Sequence, residues 1–268
     1  MDTTKEYFLM QSLSTTDKGD YLIIGVNLYE GVYNDEYRPA GLLRIYSDLI
    51  EDNLSMSNHY ISKIPITDLG DLYTPDIDNM LNDLEALKKH LHGKTHIYIG
   101  GDHLITYPIT KTNRIDALIV YDAHLDMKDT YRFRRWSNAT VMRRIHEDME
   151  TPIYYWGVRG YSRDEIEYIS ENREIQINQE EIPKNLDIHV SIDLDVLDPT
   201  IISQVAYPEP NGWTINQLLQ HFTEIASYNT VKSIDIVEYR PVTISRGEIS
   251  TILRILYESI GILHEITG

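Results

Sequence analysis

The chain reads as an α/β protein: a three-layer αβα arrangement around a mainly parallel central sheet. Three observations predict this. Short, continuous, branched apolar runs recur, as strands buried on both faces require. Between them lie stretches with apolar residues at helical spacing, and strand and helix patterns alternate to the end of the chain. Finally, acidic residues and histidines collect where the apolar runs stop, the edge at which open α/β sheets carry their sites.

Taken in order, Tyr21 to Asn27 is the first predicted strand, followed by a loop from Leu28 to Pro39 carrying Tyr29, Glu30, Tyr33, Asp35 and Glu36. A helix follows Pro39, with Leu42, Leu43, Ile45, Tyr46, Leu49 and Ile50 on its apolar side. Tyr60 to Ile66 is a second expected strand. Pro75 or Asp76 opens a helix through Met80, Leu84, Leu87 and Leu91, and Gly93 ends it. Strands are expected at Thr95–Ile99, Ile115–Tyr121, Pro152–Gly157, Glu174–Ile177, Asp187–Ile192 and Val231–Val237. Helices are expected at Ile105–Thr110, Ser137–His146, Tyr161–Glu171, Trp213–Ala226 and Ser245–His264. No Gly/Ser/Pro linker, low-complexity tract or fixed-period repeat interrupts the pattern, which predicts a single domain over residues 1–268.

Composition narrows the chemistry. Hydrophobic residues make up 42% of the chain, enough for a packed core, and the net charge is -18. That charge argues against a nucleic-acid partner and suits a cationic substrate steered by an acidic field. The absence of cysteine excludes disulfides and thiolate metal sites. Any metal must be held by His, Asp and Glu, a donor set for harder ions such as manganese or magnesium. The N-terminus lacks a signal-type apolar segment and no apolar run reaches membrane-spanning length, so a cytoplasmic protein without a membrane partner is expected.

The chemistry gathers in three stretches. Asp122-Ala123-His124-Leu125-Asp126 directly follows Ala117-Leu118-Ile119-Val120-Tyr121; if the chain stays extended there, alternation places Asp122, His124 and Asp126 on one face. Asp193-Leu194-Asp195 repeats the spacing after Ile188-His189-Val190-Ser191-Ile192, and Asp198-Pro199 stops that strand. Gly100-Gly101-Asp102-His103 follows Ile97-Tyr98-Ile99, the glycines permitting a tight turn. A single strand-end Asp-x-His is more often just a hydrogen-bonded pair. Three such pieces together place His103, Asp122, His124, Asp126, Asp193 and Asp195 as metal-type ligands, because clustered carboxylates are costly to bury without cations. Six ligands are too many for one catalytic ion with an open position and suit two divalent ions sharing bridging carboxylates.

These three motifs resemble the signature motifs of the ureohydrolases, the family of arginase, agmatinase, formimidoylglutamase and guanidino-acid hydrolases. Further echoes run from Gly25 through Gly157-Val158-Arg159-Gly160 and Pro208-Glu209-Pro210-Asn211-Gly212 to Glu238, so the resemblance spans nearly the whole chain. It implies an arginase-like fold and two Mn2+ per chain, one held by His103, Asp122, Asp126 and Asp193 and the other by Asp122, His124, Asp193 and Asp195. It implies that Asp126 also hydrogen-bonds the bridging hydroxide and passes on its proton, that Glu238 grips the substrate guanidinium, and that the chain forms a homo-oligomer, a trimer or hexamer. The implied reaction is hydrolysis of a guanidino compound, with agmatine, a dication lacking a carboxylate, the best match to an acidic protein; the products, putrescine and urea, point to polyamine biosynthesis. Arginase, guanidino-acid hydrolase and formimidoylglutamase activities share the same metal chemistry. A single-zinc deacetylase of similar fold needs fewer ligands. One departure stands out: Asn138 occupies the place of the family's proton-shuttling His and cannot shuttle protons near neutral pH, so that water or another group does this job or the enzyme is slower; it is the one feature that favours the alternative of a non-catalytic polyamine- or guanidine-binding paralogue.

Other residues read as less telling. His59, His90, His92, His96, His189 and His221 lack ligand spacing and are expected in packing or surface roles. His146, two turns along its helix, is expected to face solvent or a partner, and Arg143-Arg144 to form a helix charge pair. Arg132, Arg134 and Arg135, with Phe133 and Trp136, are candidates for the pocket mouth or an oligomer contact.

Overall fold

The computed structural model describes residues 19–28, 38–89 and 93–268. The loop residues Tyr29, Glu30, Tyr33, Asp35 and Glu36, and His90 and His92, lie outside them. In chain order the strands are β1 (Tyr21–Leu28), β2 (Asn53–Leu54), β3 (His59–Tyr60), β4 (Ile66–Thr74), β5 (Thr95–Ile99), β6 (Ala117–Tyr121), β7 (Ile153–Trp156), β8 (Ile175–Ile177), β9 (Asp187–Asp193) and β10 (Thr230–Val237). The helices are α1 (Pro39–Ile45), α2 (Ile77–Lys88), α3 (Thr106–Asn113), α4 (Val141–Met149), α5 (Arg163–Glu171), α6 (Ile215–Tyr228) and α7 (Arg246–Thr267).

Eight strands form one parallel sheet in the order β4-β1-β5-β10-β9-β6-β7-β8. Parallel neighbours need crossovers, and the helices that supply them cover both faces. Residues of α1, α6 and α7, among them Leu43, Phe222 and Leu253, pack on one face. Residues of α2, α3, α4 and α5, among them Met80, Ile109 and Met142, pack on the other. This is the three-layer arrangement expected from the alternation. Among the described residues no helix is long and apolar enough to cross a membrane.

Helix starts follow local chemistry. Asp76 caps α2 by accepting from the Asn79 N–H at 2.8 Å. Ser162 with Glu165 and Thr214 with Gln217 form capping boxes ahead of α5 and α6. The predicted strand Tyr60–Ile66 is a correction. Its start belongs to the small β2–β3 hairpin, residues Ile61–Lys63 form a 3-10 turn, and the edge strand β4 begins only at Ile66. Its sequence, Ile-Thr-Asp-Leu-Gly-Asp-Leu-Tyr-Thr, carries charges that hide a strand pattern. They are matched by Arg44, which donates to Asp68 Oδ2 at 2.7 Å and also pairs with Asp71. An edge strand tolerates such residues because its outer side is not covered by a neighbour.

A metal-capable cluster on an acidic cavity

The strand order places β5, β10, β9 and β6 side by side, so their carboxyl ends share one edge. The extended alternation expected beyond Tyr121 is not what happens. β6 ends at Tyr121, and Asp126 has φ 51°, in the left-handed region a non-glycine residue enters at a cost. Beyond β9 the chain turns at once: residues Leu194–Val196 form a 3-10 turn whose first N–H groups Asp193 caps, accepting from Asp195 N at 2.9 Å. The ligand-type side chains converge through turns rather than through strand alternation. Glu238, just past β10, also has a positive φ, 66°.

His103 is fully buried at the start of the turn before α3. Its Nδ1 lies 3.4 Å from Asp122 Oδ2, 3.1 Å from Asp126 Oδ2 and 3.2 Å from Asp193 Oδ2. On the other side of Asp122, His124 Nδ1 lies 2.9 Å from Asp195 Oδ2 and 3.7 Å from Asp122 Oδ1. Among the described residues two groups could each hold a metal ion: His103, Asp122, Asp126 and Asp193, and Asp122, His124 and Asp195. Asp122 belongs to both, while Asp193 falls in the first only. All six sequence-predicted ligand residues are therefore brought together.

The electrostatics of the protein alone show what the cluster lacks. Burial, then the charges of Asp195, Asp193 and Asp126, push Asp122 well above the usual carboxylate range. Burial and the charge of Asp195 push Asp193 up likewise. Burial alone would lower His103, yet hydrogen bonds to Asp126 and Asp193 raise it well above an ordinary imidazole. The same competition, with Asp195 as the main partner, brings His124 to about 9. Buried carboxylates crowded in this way favour a divalent cation, which would compete with protons for the same oxygens. Asp122 Oδ2 is buried with no hydrogen-bond partner, as an oxygen reserved for a cation would be. The residues fit a metal.

The clusters form one wall of a cavity of about 270 Å³. His124, Asp126, Asp193, Asp195, Asn138 and Glu238 line it, with Lys128, Tyr131, Glu165, Tyr207 and Glu209. Glu238 is buried; its Oε1 accepts the His103 N–H at 2.8 Å and its Oε2 accepts from Arg240 at 2.9 Å. Asn138 is buried at the wall, and its Oδ1 has no partner. Arg159 anchors the loops around the site. Its guanidinium donates to the carbonyls of Asp195 at 2.7 Å, Glu209 at 2.8 Å and Gly157 at 3.0 Å. Next to it, a Cβ on Gly160 would sit 3.0 Å from the His124 ring, so this backbone approaches the site more closely than a side chain comfortably allows.

Several expectations need correction or refinement. His146 is buried, its ring held between Tyr168 at 2.7 Å and Glu174 at 2.9 Å, because α4 turns that side toward α5 and β8. Arg144 is not a surface charge: it is buried, with its Nη2 3.2 Å from both Asp129 and Glu147. Arg132 meets the mouth at Tyr207, 3.4 Å away, and lies over the Tyr131 ring, 5.3 Å from its centroid; Arg135 pairs with Glu147, and Trp136 packs edge-on against Tyr107. Lys128, Glu165 and Tyr131 carry no site signal in the sequence. Lys128 lies only two residues beyond Asp126, but no local pattern reveals that Glu165, on α5, reaches its ammonium at 3.1 Å. Glu209 belongs to the Pro208–Gly212 motif, which by itself assigns it no role; its Oε1 lies 3.6 Å from His124 Nε2.

The chain is similar to known proteins over most of its length. The chain is 34% identical over 225 residues to an uncharacterized 32.2 kDa protein of Methanothermus fervidus, covering 75% of this chain and 78% of that one. It is 27% identical to the agmatinase of Pyrococcus horikoshii over 264 residues, 90% of this chain and 91% of the relative. Its fold matches the crystal structure of the agmatine ureohydrolase of Thermoplasma volcanium with a TM-score of 0.84 at 19% identity, over 99% and 97% of the two chains. The arginase family model matches residues 23–260. The chain belongs to the arginase family, a family of binuclear metal enzymes, and is a hydrolase.

Proposed function

We propose that the chain hydrolyses agmatine to putrescine and urea with two Mn2+ ions. The observation that carries this reading is the pair of metal-capable clusters sharing Asp122 on the wall of a cavity that also presents Glu238. His103, Asp122, Asp126 and Asp193 would hold one ion, and Asp122, His124, Asp193 and Asp195 the other. When bound, such a pair supplies Lewis acidity that brings the pKa of water toward neutrality, giving a nucleophile at ordinary pH.

The protein groups do the rest. Glu238 receives the guanidinium, a planar fork that pairs well with a carboxylate; the His103 N–H fixes its Oε1. Asp126 takes the proton released by the attacking water on its carboxylate and returns it to the departing nitrogen. The bond between the guanidino carbon and the substituted nitrogen breaks, and urea and the amine leave. Asn138 Oδ1 accepts an N–H of the departing side, a role open to an amide that cannot carry a proton itself. The distal ammonium of agmatine suits the carboxylate of Glu209 on the cavity wall, since Glu165 is already paired with Lys128.

Lys128 favours a second reading, a guanidino-acid substrate whose carboxylate meets this ammonium; against it, Glu165 and Ser162 already hold Lys128 at 3.1 and 2.9 Å. One assay separates them: urea or formamide release from agmatine, arginine, 4-guanidinobutyrate and formimidoylglutamate after loading with Mn2+. Preference for agmatine is expected. Turnover of a carboxylate-bearing substrate with agmatine inert overturns the agmatine assignment, and no turnover of any overturns the enzymatic one.

A further inference from the structure

Behind His103 lies a buried polar cluster that the reaction does not use directly. It begins at the other ring nitrogen, His103 Nε2, 2.9 Å from Ser191 Oγ. Ser191 donates to Asp235 Oδ1 at 2.6 Å. Asp235 Oδ2 takes two further partners, the Thr106 hydroxyl at 2.8 Å and His189 Nε2 at 2.8 Å. His189 Nδ1 continues to Ser233 Oγ at 2.7 Å. His103, Thr106, Ser191, His189, Ser233 and Asp235 are all 0% exposed.

The directions of these bonds follow from proton counting. A serine hydroxyl has one hydrogen. Ser191 gives it to Asp235, so its oxygen must accept from His103, and His103 Nε2 must carry a proton. Burial alone would push the Asp235 pKa up, but the His189 charge and the hydrogen bonds from His189 and Ser191 bring it below the ordinary carboxylate value. Asp235 is therefore an acceptor, as the count requires. With Nε2 committed as a donor, Nδ1 is the nitrogen left to face Asp122, Asp126 and Asp193.

We infer that Asp235, acting through Ser191, is a positioning residue that orients the His103 ring and reserves its Nδ1 as the electron-pair donor to one metal ion. The inference rests on the metal reading above. Outer partners of this kind hold a ligand's tautomer and ring angle, and their loss typically weakens metal binding by about 10–100-fold. The geometry adds a selectivity: His103 belongs to only one of the two clusters, so the relay acts on one ion and leaves the His124–Asp195 side alone. His189 holds Asp235 in place from outside the path to His103, while Thr106 donates to Asp235 and also lies 3.4 Å from Ser191 Oγ. The sequence motif contains Ser191 because it sits two residues before Asp193 on the strand, facing the same side of β9 and hence the same ring.

The test is Mn2+ titration of metal-stripped wild-type, Ser191→Ala and Asp235→Asn proteins, with affinity and stoichiometry read by calorimetry and the thermal midpoint of each apo form measured alongside. Two binding events are expected for the wild type. In Ser191→Ala one of them should weaken about 10–100-fold and the other stay within about threefold, a split that a merely structural role would not produce. Asp235→Asn, which keeps the shape but removes the charge, should give a smaller loss at the same event and serves if Ser191→Ala is poorly folded. Equal affinities in all three proteins, or equal weakening of both events, overturns the inference while leaving the metal reading intact. Absence of any Mn2+ binding by the wild type overturns the metal reading itself.

Discussion

The two ends of the central sheet carry two cavities of opposite character. At the carboxyl end, a cavity of about 270 Å³ is lined by Asp126, Glu165, Asp193, Asp195, Glu209 and Glu238, with Asp122 buried behind it. At the amino end, a cavity of about 640 Å³ is lined by Lys88, Lys94, Arg114 and Lys232, with no carboxylate among the described residues of its wall. The larger space is not the one beside the metal-capable clusters. Its cations come from the starts of β5 and β10 and the ends of α2 and α3, where positive charge compensates helix dipoles. At the other end, turns at Asp126 and Glu238 with positive φ drive charged groups inward, against both strain and desolvation. The metal-capable end is marked by convergent buried charge, not by volume.

A buried polar column joins the two ends. From His103 it runs through Ser191, Asp235, His189 and Ser233 to Asn113, which donates to Ser233 at 2.6 Å and lines the basic cavity. Only its upper part touches the metal-capable cluster.

The comparison can be broken most severely at Asp122. Asp122→Ala removes a residue common to both clusters, so activity should fall by more than the roughly 10²–10³-fold typical of losing one stabilising donor. Metal analysis should show loss at both positions, whereas His103→Ala should spare one; retention of two ions by Asp122→Ala would rule out its shared role. Next comes Glu238→Gln. It should keep both ions and lower kcat/KM by about 10–100-fold, the equivalent of roughly 1.5–3 kcal/mol for hydrogen bonds to a charged group. If the metal goes with the carboxylate, Glu238 is a metal residue rather than a substrate residue.

A smaller change is expected at Asn138. Asn138→His supplies a titratable group beside the departing nitrogen and should raise kcat by up to about tenfold, a fraction of the roughly 10²–10⁴-fold of a tuned general acid. The gain should follow a new ionisation near about pH 6.5. Asn138→Ala should change kcat little. A pH profile of all three with agmatine decides; no gain at any pH means proton delivery is not limiting.

The smallest effect belongs to the basic end and to stability alone. Lys88 Nζ finds the Thr112 hydroxyl at 2.5 Å, and burial lowers its pKa to about 7 from 10.5. A folded-state pKa below the unfolded one means that the unfolded chain binds the extra proton between about pH 7 and 10.5, so stability rises with pH across that window. Below pH 7 the charge is carried in both states and its burial cost is felt in full. Lys88→Met should therefore raise the thermal midpoint more at about pH 6 than at about pH 9.5, with kcat unchanged. An equal shift at both pH values contradicts the burial argument.

How much could be read in advance differs between elements for physical reasons. β6 is a continuous apolar run, and β5, β9 and β10 keep branched apolar residues around the polar ones they bury, so burial on both faces still marks these strands in the sequence. β4 escaped because an edge strand paired to Arg44 does not need that pattern. The six metal-type residues were legible because carboxylates and imidazoles gathered at buried strand ends are costly unless they are paired or bind a metal. The turn at Asp126, the burial of His146 and Arg144, and the roles of Glu165 and Asp235 were not legible. Arg144, His146, Glu165 and Asp235 each take partners 15 to 44 residues away.

By itself, then, the sequence determined the strand–helix alternation, the donor set and its acidity, all properties of neighbours along the chain. Only the tertiary structure decided that β5, β10, β9 and β6 stand side by side, out of chain order, and so which strand ends meet. It also decided which nitrogen of His103 faces the carboxylates, because that choice is made by Ser191, 88 residues away, and by the carboxylate behind it. Local periodicity carries no information about such pairings; packing of the crossover helices on the two faces of the sheet imposes them.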